Sequence, residues 1–136
     1  MGRILAIDYG AKRVGLAVTD TLQMSANGLD TIVENKTIDF LKKYIAENEV
    51  EKIIIGFPAN LDGTDTHATQ LVRNFIVHLQ KTFPGIPVIK RDEAYTSKMA
   101  VRALIDSGMK KMERRKKENI DKMSAVLILQ EYLQSL

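Results

Sequence analysis

Three acidic residues, Asp8, Glu93 and Asp121, have the types and the placement to do chemistry together. Asp8 ends a predicted apolar strand and Glu93 follows another, so both should lie at the edge where parallel strands end. Asp121 stands on a predicted helix, on a stripe that is otherwise apolar, and should therefore face the sheet. Because a buried carboxylate without a partner is costly, the three acids predict a site for a metal ion or another cation.

Carboxylates are hard oxygen ligands, and such ligands suit Mg²⁺ or Mn²⁺ better than Zn²⁺. The sequence has two histidines and no cysteine, which excludes a thiolate ligand or nucleophile. Two such ions about 3.5–4 Å apart can activate water and stabilise the leaving oxygen in phosphodiester cleavage. Each acid also has a purely structural interpretation: a turn former for Asp8, a solvated loop acid for Glu93, and a helix-dipole charge for Asp121.

A short basic segment lies beside Asp121. Residues 110–122 hold seven Lys or Arg and three Asp or Glu, a net charge of +4, so the rest of the chain sums to −1. Clustered cations release counterions from a phosphate backbone, which indicates nucleic-acid binding. The alternative is a solvated basic loop. The segment contains no aromatic residue, so base stacking is not expected there.

The strands that must position these residues follow from hydrophobic periodicity. Residues 9–13 are too few for a parallel crossover, so the first two strands should form an antiparallel hairpin. The two strands that are joined through helices should run parallel to each other and to the first strand. The predicted strands are Arg3–Asp8, Val14–Thr19, Gly28–Val33, Lys52–Gly56 and Ile86–Lys90.

Four helices are predicted from apolar stripes and capping residues. Thr37 should cap the first helix, and Thr96 or Ser97 the third. A basic loop should separate the third helix from the last. The first predicted helix carries Ile38, Leu41 and Ile45, and the second carries an apolar stripe from Ala68 to Leu79. The third ends near Gly108, and the last runs over Asn119–Leu133. The pattern predicts an α/β fold, a mixed five-stranded sheet flanked by helices.

The composition fits a soluble globular domain. The 136 residues are 45% hydrophobic and 27% charged, which predicts a single domain over residues 1–136. No apolar run approaches the ~20 residues that span a bilayer. The first residues show no signal-peptide cleavage pattern. We expect a cytoplasmic protein.

Four segments of the sequence resemble the motifs of one family, in order along the chain. Residues 7–18 resemble an opening D-x-G-x-K-R-x-G motif, and residues 56–64 resemble a G-x-P-x-N-x-D-G-T loop. Residues 92–97 resemble a D-E-R-x-[ST]-T segment, and residues 115–125 resemble a basic stretch followed by D-x-x-A-A. The sequence thus resembles the YqgF/RuvX family over essentially its whole length.

This resemblance implies an RNase H-like fold and a nuclease related to Holliday junction resolvases that processes pre-16S rRNA. It implies that Asp8, Glu93 and Asp121 are the catalytic, metal-binding acids, with Mg²⁺ or Mn²⁺ as the cofactor. The residues expected to contact nucleic acid are Lys12, Arg13, Asn60, Arg114, Arg115, Lys116 and Lys117.

Three functions remain open from the sequence. The first is a metal-dependent endonuclease that trims the 5′ region of pre-16S rRNA, and the second is a Holliday junction resolvase that cuts four-way DNA. The third is a nucleic-acid-binding module without catalysis, which is favoured by Ala94 where the family motif has arginine. We expect a nucleic-acid partner, no membrane partner, and a monomer or weak homodimer.

Overall fold

The computed structural model describes residues 2–58, 67–93, 96–114 and 116–136, without the side chains of residues 57–58, 67–68, 92–93, 96–98 and 114. A single 3₁₀ turn, Glu34–Lys36, precedes the first helix. The strands are β1 (Arg3–Tyr9), β2 (Arg13–Thr19), β3 (Ala26–Val33), β4 (Val50–Pro58) and β5 (Val88–Glu93). The helices are α1 (Thr37–Glu47), α2 (His67–Thr82), α3 (Thr96–Asp106), α4 (Lys111–Arg114) and α5 (Lys117–Gln134).

The five strands form one mixed sheet in the order β3-β2-β1-β4-β5. β1 and β2 are antiparallel, as are β2 and β3, whereas β4 runs parallel to both β1 and β5. The predicted hairpin and the predicted mixed sheet are therefore confirmed. β1 lies at the centre between β2 and β4, and the continuous apolar runs of β1 and β4 leave Ile4–Ile7 and Ile53–Ile55 fully buried.

The two faces of the sheet carry different cores. One face packs under α1 and α2, and we call it the α1/α2 face; it buries Leu5 and Ile7 of β1 against Leu41, Phe75 and Leu79. The other face packs under α5, and we call it the α5 face. Its buried cluster contains the following residues: Ile4, Ala6, Ala17, Ile54, Ala125, Val126, Ile128, Leu129 and Tyr132.

The predicted strands are in the right places, but several ends differ. The largest difference is at β5, which begins at Val88 and continues to Glu93. Asp92 and Glu93 are therefore the last residues of a strand, paired in register with Phe57 and Pro58, and do not follow the strand as predicted. Backbone hydrogen bonds with β4 extend β5 beyond the apolar residues from which the strand was predicted.

The predicted helices are also present, with two corrections. Thr37 is the first residue of α1 and not its N-cap; the cap position is Lys36, and the Thr37 Oγ1 donates to the Val33 carbonyl oxygen at 3.1 Å. Part of the predicted basic loop forms the short helix α4. The side chains of Thr96 and Ser97, predicted to cap α3, lie outside the described residues. No helix in the described ranges is long and apolar enough to cross a membrane.

Candidate active site

Asp8 lies near the end of β1, on the α5 face. Side chains alternate along a strand, and Ile4 and Ala6 of β1 belong to the cluster under α5, so Asp8 shares their side. The residue is half-buried. Across the hairpin it is paired in register with Gly15 of β2.

Gly15 is the position at which α5 touches the sheet. A Cβ atom added to Gly15 would overlap the backbone carbonyl oxygen of Asp121, which lies on α5. Glycine inside a strand is the usual means of letting another backbone approach this closely. Since Gly15 is also the partner of Asp8, the backbone of Asp121 reaches the sheet beside the first candidate ligand.

The side chain of Asp121 turns towards the same strand. Its Oδ2 accepts a hydrogen bond from the Arg13 Nε at 2.9 Å, and the two groups form an ion pair. The side chains are about one-third and one-quarter exposed, respectively, at 33% and 26%. The expectation that Asp121 faces the sheet is confirmed, and the partner that a half-buried carboxylate requires is, in this structure, an arginine.

Two further contacts seat the first turns of α5 on β3. The Thr31 Oγ1 donates to the Glu118 carbonyl oxygen at 2.6 Å, and Thr31 is the residue of β3 that pairs with Gly15. At Gly28, a Cβ atom would come within 2.8 Å of the Lys122 side chain, so the aliphatic part of that lysine lies against the strand. The start of α5 is thus held on both β2 and β3.

The structure brings Asp8 and Asp121 close together on the α5 face, whereas it describes only the backbone of the third acid, Glu93. The backbone of Glu93 ends β5, opposite Pro58; its side chain lies outside the described residues. Within the described part of the chain, no group of three His, Cys, Asp or Glu side chains is arranged to hold a metal ion. The three-carboxylate metal site therefore stays a prediction.

Of the predicted nucleic-acid contacts, Lys12, Lys116 and Lys117 are exposed, and Arg13 is the residue engaged with Asp121. The Lys116 Nζ pairs with a Glu113 carboxylate oxygen at 3.2 Å. Asn60, Arg115 and the side chain of Arg114 lie outside the described residues. Lys116 and Lys117 lie at the start of α5, and Lys12 directly precedes Arg13.

Tyr9 follows Asp8 on β1 and packs on the opposite face, against Phe75 at 4.5 Å between ring centroids. Its hydroxyl donates to the Glu34 Oε1 at 3.0 Å. Burial, and then the hydrogen bond and negative charge of Glu34, raise the pKa of the Tyr9 phenol from 10.0 to about 12. Tyr9 is therefore neutral at physiological pH and contributes packing beside Asp8.

The opening motif includes Gly15 and a predicted strand begins at Gly28, but the sequence did not indicate that Gly15, Gly28 and Thr31 position α5. The available signal was glycine inside predicted strands, which indicates a close backbone approach. It could not show which segment approaches, because Gly15 and Asp121 are far apart in the chain.

Comparison with known proteins supports a nuclease. The family model described as "RuvX: Holliday junction resolvase" matches residues 2–135. A protein of Amoebophilus asiaticus is 47% identical over 135 residues, which cover 99% of this chain and 96% of that protein. A protein of Flavobacterium johnsoniae is 46% identical over 135 residues, which cover 99% and 98%. Both are named "Putative pre-16S rRNA nuclease".

Among solved structures, RuvC of Thermus thermophilus in complex with a Holliday junction substrate matches with a TM-score of 0.59. The match covers 99% of this chain and 96% of that chain at 13% sequence identity. Identity this low shows a shared fold and no more. The resemblance and the fold predicted from the sequence are both confirmed.

Proposed function

The chain belongs to the RuvX family and is a nuclease, and from that premise we propose that it is a divalent-metal-dependent endonuclease that cuts structured nucleic acid, with the 5′ region of pre-16S rRNA as its substrate. The observation that carries the proposal is the contact of the Asp121 backbone with Gly15, the strand partner of Asp8. That contact brings the backbone of Asp121 beside the strand pair that carries Asp8, at the edge where the parallel strands β1 and β4 end, and so supports a shared site for the two acids.

The donor chemistry fits a hard divalent cation. Asp8 and Asp121 supply carboxylate oxygens, which are the ligands that Mg²⁺ and Mn²⁺ prefer. Glu93 is proposed as the third ligand, since its backbone ends β5, and β5 and β1 both run parallel to β4, so that their carboxyl ends share one edge of the sheet. When bound, the metal would activate the attacking water and stabilise the leaving oxygen.

The chain's own residues have separate tasks in this proposal. Gly15 and Thr31 fix the start of α5, so that Asp121 is presented to Asp8. Lys12, Lys116 and Lys117, with Arg114, Arg115 and Asn60, are proposed to hold the phosphate backbone. Partial burial of Asp8 and Asp121 limits the water around them, which strengthens their interaction with a cation.

The proposed substrate rests on the relatives, which are named for pre-16S rRNA. A second candidate is four-way DNA, which is favoured by the description of the family as Holliday junction resolvase. A resolvase generally makes paired cuts as a dimer, so the oligomeric state measured by light scattering would separate the two. For rRNA trimming we propose a monomer or weak homodimer.

The decisive experiment is cleavage of a labelled fragment of the pre-16S rRNA 5′ leader, with Mg²⁺ or Mn²⁺ compared with EDTA. Wild type and Asp8→Asn are assayed in parallel, and a four-way DNA junction serves as a second substrate. We expect metal-dependent cleavage of the RNA that Asp8→Asn abolishes. Cleavage of the junction alone would establish the resolvase instead. Salt-dependent binding of both substrates without cleavage of either would refute the nuclease proposal in favour of a binding module.

A further inference from the structure

We infer that Arg13 is a positioning residue that holds Asp121 with one edge of its guanidinium group and a substrate phosphate with the other. The inference rests on the proposed metal-dependent nuclease site and assigns a second role within it. In this role Arg13 restrains the orientation of one candidate metal ligand and also contacts the bound nucleic acid.

The position of Arg13 brings it near both described acids. It opens β2 and shares the α5 face with Gly15 and Ala17, because strand side chains alternate. Asp8 is paired with Gly15, so Arg13 is the diagonal cross-strand neighbour of Asp8, at a typical separation of about 7–8 Å between α-carbons. Arg13 therefore stands between the end of β1 and the first turns of α5.

The contact with Asp121 uses one donor and one acceptor. The Arg13 Nε donates to Oδ2 at 2.9 Å, which employs one of the five N–H groups of the guanidinium. The other carboxylate oxygen, Oδ1, is outside this hydrogen bond. A carboxylate held in this way keeps an oxygen for a cation while its side-chain rotation is restricted, as outer contacts of metal ligands generally do.

The remaining donors of Arg13 suit a phosphate group. A planar guanidinium presents N–H groups along more than one edge and pairs well with phosphate oxygens, whereas a lysine ammonium is a point charge. The Arg13 side chain is one-third exposed, so an approaching backbone can reach it. Its neighbour Lys12 is exposed and adds positive charge to the same turn.

The sign of the effect on metal affinity distinguishes positioning from simple charge. A nearby cation repels a bound metal ion, so removing the charge of Arg13 should strengthen metal binding if charge is all that matters. If Arg13 orients Asp121, removing it should weaken metal binding, by about 10- to 100-fold for the loss of such an outer contact.

The experiment measures Mn²⁺ affinity of the nucleic-acid-free protein by calorimetry, for wild type, Asp8→Asn, Arg13→Gln and the control Lys12→Gln. We expect Arg13→Gln to weaken Mn²⁺ binding about tenfold or more. Lys12→Gln loses the same charge one residue away and should bind Mn²⁺ as tightly as wild type or slightly more tightly. Thermal unfolding of each variant shows that the folded protein is being compared.

The second readout is binding to a four-way DNA junction in EDTA at several salt concentrations. The logarithm of the binding constant falls linearly with the logarithm of the salt concentration, and we call the steepness of this fall the salt slope. Arg13→Gln and Lys12→Gln should each reduce the salt slope by about 0.9, the value for one lost phosphate contact on duplex DNA. Arg13→Lys keeps the charge and can pair with Asp121, but one ammonium cannot serve both partners. The Mn²⁺ affinity of Arg13→Lys should therefore lie between those of wild type and Arg13→Gln, and its salt slope should still be smaller than that of wild type.

The outcomes separate this inference from the proposed function. Wild type that binds no Mn²⁺, or binds it equally after Asp8→Asn, would overturn the metal site itself. Wild type that binds Mn²⁺ through Asp8, with Arg13→Gln binding as tightly or more tightly, would overturn the positioning role alone. Full recovery of both readouts by Arg13→Lys would show that a single point charge is sufficient and would refute the two-edged contact.

Discussion

The two faces of the sheet differ in the size of the side chains that they present to the helices. The α1/α2 face is built from large aliphatic and aromatic side chains, with Leu5 and Ile7 packed against Phe75 and Leu79. On the α5 face, the antiparallel strands β1, β2 and β3 carry several small residues: Ala6, Gly15, Ala17 and Gly28. Large side chains keep helices at a distance and exclude water, whereas small ones let a helix backbone touch the strands.

This difference in side-chain size explains why the polar contacts of Asp121 lie on the α5 face. The later turns of α5 are apolar and buried, with Ala125, Ile128 and Leu129 in the cluster. Its first turns lie over glycines and present Asp121 and its backbone carbonyl directly to β2. The α1/α2 face thus contributes stability, and the start of α5 contributes the candidate site.

The largest stability effect should come from a cavity on the α1/α2 face. Leu79 is fully buried there, and Leu79→Ala should lower the free energy of unfolding by about 2–5 kcal/mol in urea titrations. Cleavage per folded molecule should be unchanged. Val77→Ala, on the same helix at a residue that is 47% exposed, should change stability by no more than about 0.5 kcal/mol. A loss of specific activity in Leu79→Ala would show that the faces are coupled.

The next largest stability effect is expected at the contact of α5 with β2. Gly15→Ala places a methyl group in the position of the Asp121 carbonyl, so α5 must shift, at a cost of about 1–3 kcal/mol for overpacking. Mn²⁺ affinity and cleavage should fall with it, in contrast to Leu79→Ala. Gly85→Ala is the control, because nothing lies within 4 Å of the added Cβ atom. Equal behaviour of the two glycine variants would refute the contact as the basis of the site.

A smaller effect is expected at Ser124, one turn after Asp121. The residue is 1% exposed, and among the described residues its Oγ finds no hydrogen-bond partner. Ser124→Ala should therefore be neutral or stabilise the protein by up to about 1 kcal/mol. Ser107→Ala should instead destabilise it by about 0.5–1 kcal/mol, because the Ser107 Oγ donates to the Leu104 carbonyl oxygen at 2.7 Å. Destabilisation by Ser124→Ala would reveal a polar partner on the α5 face.

The smallest effect at neutral pH concerns Tyr9, which lies on the α1/α2 face directly after Asp8. Its pKa is raised to about 12 in the folded protein, so the unfolded chain loses this proton first as the pH rises above 10. The stabilisation from neutral Tyr9 is complete below pH 10 and is lost between pH 10 and 12. Wild type should lose stability more steeply than Tyr9→Phe in this window, measured by urea unfolding. Parallel curves would contradict the raised pKa.

Much of this fold was predictable because its signals are local. The apolar runs gave the strands, and the short link between β1 and β2 gave their antiparallel pairing. The apolar stripe that includes Asp121 correctly indicated a helix facing the sheet. In the same way, carboxylates at strand ends indicated an edge where ligands could bind.

Other features depend on contacts that local patterns do not encode. The partner of Asp121 was expected to be a metal ion or a cation, but its identity as Arg13 follows from the way α5 crosses β2. The backbone pairing of β5 with β4 extended the strand through Glu93, beyond its apolar residues. Thr37 has the type of an N-cap, yet the preceding 3₁₀ turn brings it into the helix.

The contact between Gly15 and Asp121 also has a consequence for synthesis on the ribosome. The hairpin of β1 and β2 joins neighbouring residues and can form early, since domains fold as the chain emerges from its N-terminal end. The α5 face stays uncovered until residues beyond position 121 have emerged and packed on it. We therefore expect nascent chains that stop short of α5 to carry Asp8 without Asp121, so that the candidate site is assembled only after α5 has emerged and packed on the sheet.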